Sequence, residues 1–249
     1  MHLCVHDDKT TLGEIAAREG ADAIRTAIST KGGAAIVLAT GVSQFEMLDA
    51  LVREEIDWSR VTAFHLDEYI GLGVDHPASF RRYLDERFVR RVAGLGAFVA
   101  IEGDVADPNA ELIRLNRRLS AETIDVCFAG IGENGHLAFN DPPADFDVDE
   151  PFIQVELDAA CRRQQMGEGW FATIDDVPSR AISMSICQMM SSRKLILSVS
   201  DTRKAKAVLD AVEGPITNTL PASITQKHGD CSLHLDPPAA ALLGADRAG

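Results

Sequence analysis

Residues 124–140 read IDVCFAGIGENGHLAFN, an apolar run that passes directly into a glycine-rich segment. A short apolar run bounded by glycine is typical of a strand that is buried on both faces. In an open parallel sheet, ligands bind beyond the carboxyl ends of the strands. The stretch therefore predicts a strand over 124–129 and a ligand-binding loop immediately after it.

The same alternation of short apolar runs and helical stretches extends over almost the whole chain. Further strands are predicted over 34–39, 61–66, 98–101 and 194–200, and helices over 12–27, 45–52, 79–89, 112–119 and 205–212. Strands that alternate with helices are typical of α/β proteins with a parallel sheet. We expect an open, mostly parallel sheet with helices on both faces, a Rossmann-like α/β fold that forms a single domain over 1–249.

One segment, residues 142–176, interrupts this alternation. It contains Pro142-Pro143 and an acidic run over 145–150, and it shows little periodicity. Long irregular segments in compact domains are usually functional lids or disordered loops. Because Trp170 and Phe171 can anchor it to the core, the segment is predicted to be a lid.

The charge balance excludes several classes of partner. The 249 residues include 38 acidic and 24 basic side chains, a formal net charge of −14, and the basic residues form no stripe interleaved with aromatics. Such a chain is a poor match for nucleic acid or an acidic membrane surface. Its apolar runs are far shorter than the roughly 18 residues of a membrane span, and residues 1–10 lack the apolar segment of a signal peptide. We therefore expect a cytoplasmic protein.

The cysteines do not form a recognisable framework. Five cysteines, an odd number, are widely spaced without a C-x-x-C pair, and the seven histidines show no H-E-x-x-H motif. This spacing argues against a disulfide scaffold and against a zinc site. No metal and a reducing compartment are expected.

The strand predicted over 34–39 is followed by Thr40, Gly41, Val42, Ser43 and Gln44, and then by a helix. Free backbone N–H groups and the positive end of the helix dipole suit an anion such as phosphate. Thr40, Gly41 and Ser43 are therefore candidate anion ligands. The alternative is that Ser43 serves only as the N-cap of the helix.

The strand predicted over 61–66 is followed by Asp67 and Glu68. Two adjacent carboxylates where a strand opens into a loop can supply a positioned general base. The alternative is a solvated pair of loop acids, which is the commoner fate of an Asp-Glu pair.

The loop after 124–129 has the most specific pattern. Gly130, Gly132 and Gly135 match G-x-G-x-x-G, which is known from dinucleotide-binding proteins. However, Pro142-Pro143 soon stops any following helix, and the motif lies in the middle of the chain. A nucleotide cofactor is therefore not expected. The glycines are interpreted instead as letting a ligand approach the backbone closely, which makes Gly132 a candidate substrate contact.

His136 lies in the same loop, five residues before Asp141. A carboxylate beside a histidine can fix its tautomer and raise the imidazole pKa, so the two can form an acid/base pair. The alternative is a histidine that is hydrogen-bonded within a turn.

Together these segments resemble the glucosamine-6-phosphate deaminase (isomerase) family over nearly the whole chain and in the same order. The Thr-Gly loop, D-E-Y-x-G-L over 67–72 and G-x-G-x-N-G-H-x-A-F-N over 130–140 are similar to its three signatures. The neighbouring 6-phosphogluconolactonase family shares the fold, but it has D-E-R and G-H-T-A where this chain has D-E-Y and G-H-L-A. The deaminase family is the better match.

The resemblance implies a role for each candidate residue and no cofactor. His136, with Asn134 and Asp141, matches the residues that open the aminosugar ring, although the family has a longer glutamate at the position of Asp141. Asp67 matches the base that moves a proton from C2 to C1 before ammonia leaves. Lys204 matches a phosphate ligand that can meet the Thr-Gly loop; its alternative is a solvated lysine on a helix face.

Three departures from the family pattern concern the phosphate. Val42 stands in place of a glycine and Gln44 in place of a proline in the first loop. No arginine stands near 166–168, where the family has one that binds the phosphate. Arg162 is the candidate substitute, with Arg163 as its neighbour.

The expected substrate is an amino-sugar phosphate, most simply glucosamine 6-phosphate, which would yield fructose 6-phosphate and ammonia. The alternatives are galactosamine 6-phosphate or another amino sugar, a lactone as in 6-phosphogluconolactonase, and a non-catalytic sugar-phosphate sensor. Asp67, His136 and Asp141 together disfavour the sensor, because sensing needs shape and charge but no acid/base set. A homo-oligomer is left open, since members of the resembled family are monomers or hexamers.

Overall fold

The chain folds around two β-sheets. A computed structural model describes residues 1–244, and its strands are β1 (His2–Val5), β2 (Ala34–Leu38), β3 (Val61–His65), β4 (Asp67–Tyr69), β5 (Ala97–Val99), β6 (Val126–Ala129), β7 (Phe152–Glu156), β8 (Arg180–Met184), β9 (Lys194–Val199) and β10 (Cys231–Leu235). Seven strands form one sheet in the order β1-β10-β9-β6-β2-β3-β5. Every neighbouring pair in it is parallel, which confirms the predicted parallel sheet.

Helices cover both faces of this sheet. They are α1 (Lys9–Lys31), α2 (Phe45–Leu51), α3 (Phe80–Leu84), α4 (Pro108–Leu119), α5 (Ala159–Gly167), α6 (Ile186–Met190), α7 (Ala205–Glu213) and α8 (Pro237–Ala240). On one face, α1 and α2 pack against Ile36 and Phe128, and on the other, α4 and α7 pack against Val37 and Cys127. Successive strand residues point to opposite faces, so both layers receive apolar side chains. None of the described helices has the length and apolar character that a membrane crossing requires.

The second sheet is antiparallel and has the order β4-β8-β7. Its strand β4 follows β3 after Leu66 alone, so Asp67 and Glu68 do not open a loop as predicted. The partner of β4 is β8, more than 100 residues later in the chain, with Asp67 paired to Ser183. A strand that depends on so distant a partner has no local pattern of its own.

The segment 142–176 is more regular than predicted. It contains β7 and α5, and only Phe152 of β7 is fully buried. Helix α5 is rich in polar residues and has a weak apolar stripe, which explains why its period was not visible in the sequence. The expectation of an irregular segment is wrong; its movement as a lid stays a prediction.

Four neighbouring strands of the parallel sheet, β9, β6, β2 and β3, end at one edge. Ala39 N donates to Phe128 O at 3.0 Å, and Leu66 N donates to Leu38 O at 3.1 Å, so the pairing continues to the last residues of these strands. The loops that follow are therefore held side by side.

Candidate active site

A pocket opens at this edge, between the loops that follow β2, β3, β6 and β9. Seven of the ten predicted site residues line it: Thr40, Gly41, Ser43, Asp67, Gly132, His136 and Lys204. Other parts of the wall are apolar side chains near β4 and polar side chains at the end of α5: Phe80, Ala138, Phe139, Gln164, Gln165 and Glu168. The structure therefore brings the three sequence signatures into one pocket.

Asp67 reaches this pocket from the short strand β4. The residue is 6% exposed, and its Oδ1 atom has no hydrogen-bond partner within residues 1–244. Burial and, to a lesser degree, the charge of Glu68 raise the pKa of Asp67 to about 8. A carboxyl oxygen with no partner can take a proton, and a raised pKa makes the carboxylate a stronger base.

Glu68 is buried as well, but it is fully engaged with the protein. Its carboxylate accepts hydrogen bonds from Ser79 Oγ (3.0 Å) and from the backbone N–H groups of Tyr69 (2.9 Å), Phe80 (3.2 Å) and Arg81 (2.7 Å). Burial raises the pKa of Glu68 to about 7, although these hydrogen bonds favour its ionised form. Glu68 thus ties β4 to the start of α3 and positions Asp67, and the solvated acid pair is wrong for both residues.

His136 and Asp141 form a second acid/base group. His136 Nδ1 lies 3.1 Å from Asp141 Oδ1, which also accepts a hydrogen bond from Asn134 Nδ2 at 3.1 Å. Asn134 Oδ1 accepts the backbone N–H of His136 at 3.1 Å, and Asp158 N donates to Asp141 Oδ2 at 3.0 Å. Burial opposes the charge of Asp141, but the hydrogen bonds from His136, Asp158 N and Asn134, together with the charge of His136, outweigh it and lower the pKa of Asp141. The carboxylate stays ionised and orients the imidazole.

A tight turn brings the short Asp141 side chain to the imidazole. Asn140 N donates to Leu137 O at 3.0 Å, and Ala138 adopts a φ of 52°, in the left-handed region. The chain therefore folds back directly after Leu137. This turn supplies the backbone adjustment that an aspartate needs at a position where glutamate would reach further.

Two glycines of the loop leave room for protein side chains. A Cβ atom on Gly132 would lie 2.3 Å from His136 Nε2, and one on Gly135 would lie 2.4 Å from Leu220 Cδ1. Either distance is too short for a real contact. The backbone at Gly132 packs directly against the imidazole, and because Gly132 also lines the pocket, its role as a substrate contact stays a prediction.

The loop after β2 is held from two sides. Gly41 has a φ of 100°, which side chains rarely adopt, and its carbonyl accepts a hydrogen bond from Tyr83 Oη at 2.9 Å. Gly41 occupies the N-cap position of the 3₁₀ turn that leads into α2. The N-cap reading of Ser43 is therefore wrong; its hydroxyl accepts a hydrogen bond from Gln44 Nε2 at 3.2 Å and lines the pocket.

Gln44, which departs from the family pattern, has a structural role. It is fully buried, and its Nε2 donates to Ala129 O at 3.3 Å and to Ser198 O at 3.2 Å. These carbonyls lie at the ends of β6 and β9. The glutamine thus joins the first loop to two neighbouring strands.

Lys204 lies in a 3₁₀ turn between β9 and α7, and it is only 7% exposed. Burial lowers the pKa of Lys204, while the charges of Glu168 and Glu133 oppose that shift. The solvated lysine is its neighbour Lys206, which pairs with Asp210 at the surface. The reading of Lys204 as a solvated helix-face residue is therefore wrong.

Arg162 is not brought into the pocket. Its guanidinium donates to Ile174 O at 2.6 Å and to Val177 O at 3.0 and 3.2 Å. The helix α5 turns this side chain toward the segment after it, so Arg162 fastens that segment and does not replace the missing phosphate arginine.

The arginine that does line the pocket is Arg203, next to Lys204. Sequence reasoning missed it, although its position beside a candidate phosphate ligand was a usable signal. It also missed Gln165, whose Oε1 accepts a hydrogen bond from the Tyr69 hydroxyl at 2.8 Å, because α5 was not predicted.

One group of side chains in the described residues could hold a metal ion. Ligand atoms of His136, Asp141 and Cys161 lie within 4.8 Å of one another. His136 and Asp141 are already hydrogen-bonded to each other. Burial raises the pKa of the Cys161 thiol far above its ordinary value, which disfavours the thiolate that metals bind. The absence of a metal stays a prediction.

Comparison with known proteins identifies the family. Residues 7–233 match the family described as glucosamine-6-phosphate isomerases/6-phosphogluconolactonase. The chain belongs to this family. Within the isomerase/lactonase family, a glucosamine-6-phosphate deaminase of Exiguobacterium sibiricum is 37% identical over 211 residues (85% of this chain and 82% of the relative). One from Lacticaseibacillus paracasei is 35% identical over 246 residues (98% and 99%).

A solved structure of the same family allows the two folds to be compared. A monomeric glucosamine-6-phosphate deaminase superposes with a TM-score of 0.88 at 31% identity, covering 97% of this chain and 100% of that one. The parallel sheet and the arrangement of its helices are therefore those of the isomerase/lactonase family.

Proposed function

We propose that this protein is an isomerising deaminase that converts an amino-sugar phosphate, most simply glucosamine 6-phosphate, to the ketose phosphate and ammonia. The observation that carries the proposal is one pocket with two separate acid/base groups, the Asp67 carboxyl and the His136–Asp141 pair. Ring opening followed by aldose-to-ketose isomerisation moves protons at two places on the sugar. Relatives named glucosamine-6-phosphate deaminase support the same reaction.

Ring opening is assigned to His136. The anomeric hydroxyl loses a proton, the bond between C1 and the ring oxygen breaks, and the ring oxygen gains a proton. Because Asp141 is ionised, it holds a proton on His136 Nδ1, which leaves Nε2 to exchange protons with the sugar. Asn134 bonds to both residues and keeps them aligned.

Enolisation is assigned to Asp67. Its carboxylate takes the C2 proton of the open-chain aldehyde and the C–H electrons form the C1–C2 double bond, while the C1–O1 π bond opens, O1 takes up a proton and the ammonium group on C2 releases one. Asp67 then returns its proton to C1, and the nitrogen lone pair forms a C2–N double bond. The resulting imine at C2 then adds water and releases ammonia, which leaves a ketone without any net oxidation or reduction. The ammonium group on C2 of the substrate is a positive charge beside Asp67, and such a charge favours the carboxylate that the step needs.

The phosphate end of the substrate is assigned to the other side of the pocket. Thr40, Gly41 and Ser43 present a hydroxyl-bearing loop there, and Lys204 adds a buried cation. A cation in a dry site attracts an anion far more strongly than one in water. Binding the phosphate remote from C1 and C2 would hold the sugar with its reacting atoms between the two acid/base groups.

The alternatives differ in substrate or in class. Galactosamine 6-phosphate would use the same residues, and a lactone substrate would need no base at C2. A sensor is disfavoured because Asp67 is buried with an oxygen that has no partner in the described chain, an unfavourable arrangement that binding alone does not require.

The experiment is a panel of glucosamine 6-phosphate, galactosamine 6-phosphate, the two unphosphorylated sugars and 6-phosphogluconolactone, each incubated with the purified protein. Ammonium release and ketose formation are measured together, and lactone hydrolysis separately. We expect ammonium and ketose in equal amounts from an amino-sugar phosphate. A folded protein that releases no ammonium from any of them, or that hydrolyses only the lactone, contradicts the proposal.

We also infer a cytoplasmic location and a small-molecule partner only, without nucleic acid or membrane. The acidic composition supports this, with a net charge of −14. A homo-oligomer is compatible with the family, and light scattering on the purified protein would measure the number of subunits.

A further inference from the structure

The end of the pocket assigned to phosphate carries an unusual balance of charge. Two cations, Arg203 and Lys204, line it together with the carboxylates of Glu168 and Asp201. Glu133 adds a third carboxylate, because it pairs with Arg203. A phosphate dianion entering this region therefore meets more acidic than basic groups, and it gains a second cation beside Lys204 only if Arg203 leaves a carboxylate.

Arg203 is the cation placed for such a change. Its Nη1 lies 3.3 Å from Glu133 Oε1, and its Nη2 lies 3.2 Å from Asp201 Oδ2. The side chain of Arg203 is 46% exposed and that of Glu133 is 34% exposed. Ion pairs at such exposure contribute little, about 0 to 1 kcal/mol, so they can be exchanged.

Lys204 alone cannot distinguish a phosphorylated sugar from an unphosphorylated one as well as an arginine can. It is nearly buried, and no carboxylate within residues 1–244 forms an ion pair with it. Its ammonium acts as a point charge, whereas a planar guanidinium can donate two parallel hydrogen bonds to a phosphate. A sugar hydroxyl has no charge with which to displace Glu133 from Arg203, but a phosphate has.

We propose that Arg203 is the residue by which this pocket selects a phosphorylated sugar, and that Glu133 competes with the phosphate for it. The inference deepens the proposed function and rests on it for the choice of sugar. In the free protein Arg203 bonds to Glu133 and Asp201; on binding, its guanidinium moves from Glu133 to the phosphate oxygens. Arg203 thereby takes the place of the arginine that is missing near 166–168.

The exchange also connects the two ends of the pocket. Glu133 directly precedes Asn134, which holds His136 and Asp141 in place. Glu133 N donates to Gln164 Oε1 at 2.9 Å, so the backbone of this loop stays anchored when its side chain loses Arg203. The catalytic loop therefore keeps its position during the exchange.

The test is calorimetric binding of inorganic phosphate and of glucosamine 6-phosphate, with Asp67→Asn as the background to prevent turnover. Arg203→Ala is expected to weaken glucosamine 6-phosphate binding by about tenfold to a hundredfold, the range for one charged hydrogen-bonding partner. Binding of unphosphorylated glucosamine should be unchanged. Glu133→Gln is expected to strengthen phosphate binding by about threefold, because a weak competing ion pair is removed.

Lys206→Gln is the matched control, since it removes a positive charge from the same stretch of chain outside the pocket and should change no binding constant. Unchanged phosphate binding in Arg203→Ala, or weaker binding in Glu133→Gln, would overturn the inference. So would a parent protein that binds neither anion. Because binding needs no turnover, a protein that releases no ammonium but loses phosphate affinity in Arg203→Ala would contradict only the proposed function.

Discussion

Asp67 and Asp141 serve one pocket and both carboxyl groups are largely shielded from solvent, yet they behave in opposite ways. Asp67 is 6% exposed and the Asp141 side chain 7% exposed. The pKa of Asp67 is raised to about 8, mainly by burial, whereas the pKa of Asp141 is lowered. Burial raises the pKa of both carboxyl groups, so burial alone does not explain why the two net shifts have opposite directions.

Hydrogen bonds explain it. Asp141 accepts hydrogen bonds from His136, Asn134 and the backbone of Asp158, which stabilise its charge. Asp67 has one oxygen with no partner in residues 1–244 and a carboxylate, Glu68, beside it. Carboxylates in contrasting environments commonly take different catalytic roles. We expect Asp67 to exchange a proton in each turnover and Asp141 to stay charged throughout.

The largest effect should come from removing the group that exchanges the proton. Asp67→Asn is expected to lower kcat by about 10² to 10⁴, the usual contribution of a positioned general base. An amide cannot take the C2 proton, so the loss should be the same for closed-ring and open-chain sugar. Ammonium release under saturating substrate measures it.

The control for Asp67→Asn is the melting temperature, which shows whether the variant is folded. A folded variant that retains more than about a tenth of the activity would contradict the assignment of Asp67 as the base.

Removing the His136 imidazole should slow only one step of the reaction, ring opening. His136→Gln is expected to slow turnover of the closed pyranose by about 10²-fold while sparing an open-chain substrate supplied directly, because only ring opening needs the imidazole. The measurement compares initial rates from the two forms of the sugar. Equal losses would show that His136 also moves the C2 proton, and the division between the two groups would be wrong.

The contrast between the two aspartates also shows how far the sequence could be read. The strand ends, and with them Asp67 and His136, were predictable, because buried strands and glycine-rich loops have local patterns. Lys204 was predicted only from the resemblance to the family. The pairing of Asp141 with His136 was predictable from their spacing. His136 and Asp141 lie in one loop, so their pairing needs no partner far away in the chain.

What depends on distant partners was missed. Strand β4 exists because β8 pairs with it, and this pairing buries Asp67 and Glu68, which the pattern alone would leave in solvent. Helix α5 has too weak an apolar stripe to be recognised, so Gln165 was not foreseen at the pocket. Arg162 was misplaced for the same reason, since its direction follows from the packing of α5.

The pH dependence of kcat/KM should reflect the ionisation of Asp67 and not that of Asp141. For the free protein, kcat/KM is expected to fall about tenfold per pH unit as pH drops below about 8, because Asp67 must be ionised to act as a base. Asp141, with its lowered pKa, should add no limb between about pH 5 and 9. The substrate amine also titrates, so a variant is needed to assign the limb.

Glu68→Gln provides that variant. It removes the charge that helps to raise the pKa of Asp67, so the acid limb should move to lower pH, while the pKa of the substrate is unchanged. A limb that stays in place in Glu68→Gln would mean that Asp67 does not control it.

The smallest effect is on stability, and the two aspartates should differ in its sign. The pKa of Asp67 is higher in the folded than in the unfolded state. Its protonated carboxyl group therefore contributes to the free energy of unfolding below the unfolded-state pKa, and this contribution is lost as pH rises through about 8. Asp67→Asn keeps the neutral state and should therefore stabilise the fold at about pH 8.5 by about 1–2 kcal/mol, and by less at about pH 5.5. The pKa of Asp141 is lower in the folded than in the unfolded state. Its carboxylate therefore contributes to the free energy of unfolding above the unfolded-state pKa, and this contribution is lost as pH falls through the folded-state pKa. Asp141→Asn should therefore destabilise the fold by about 1–2 kcal/mol at both pH values. Urea unfolding of the two variants at each pH gives the four values. Changes of the same sign at about pH 8.5 would show that burial, which the two residues share, outweighs the hydrogen bonds that distinguish them.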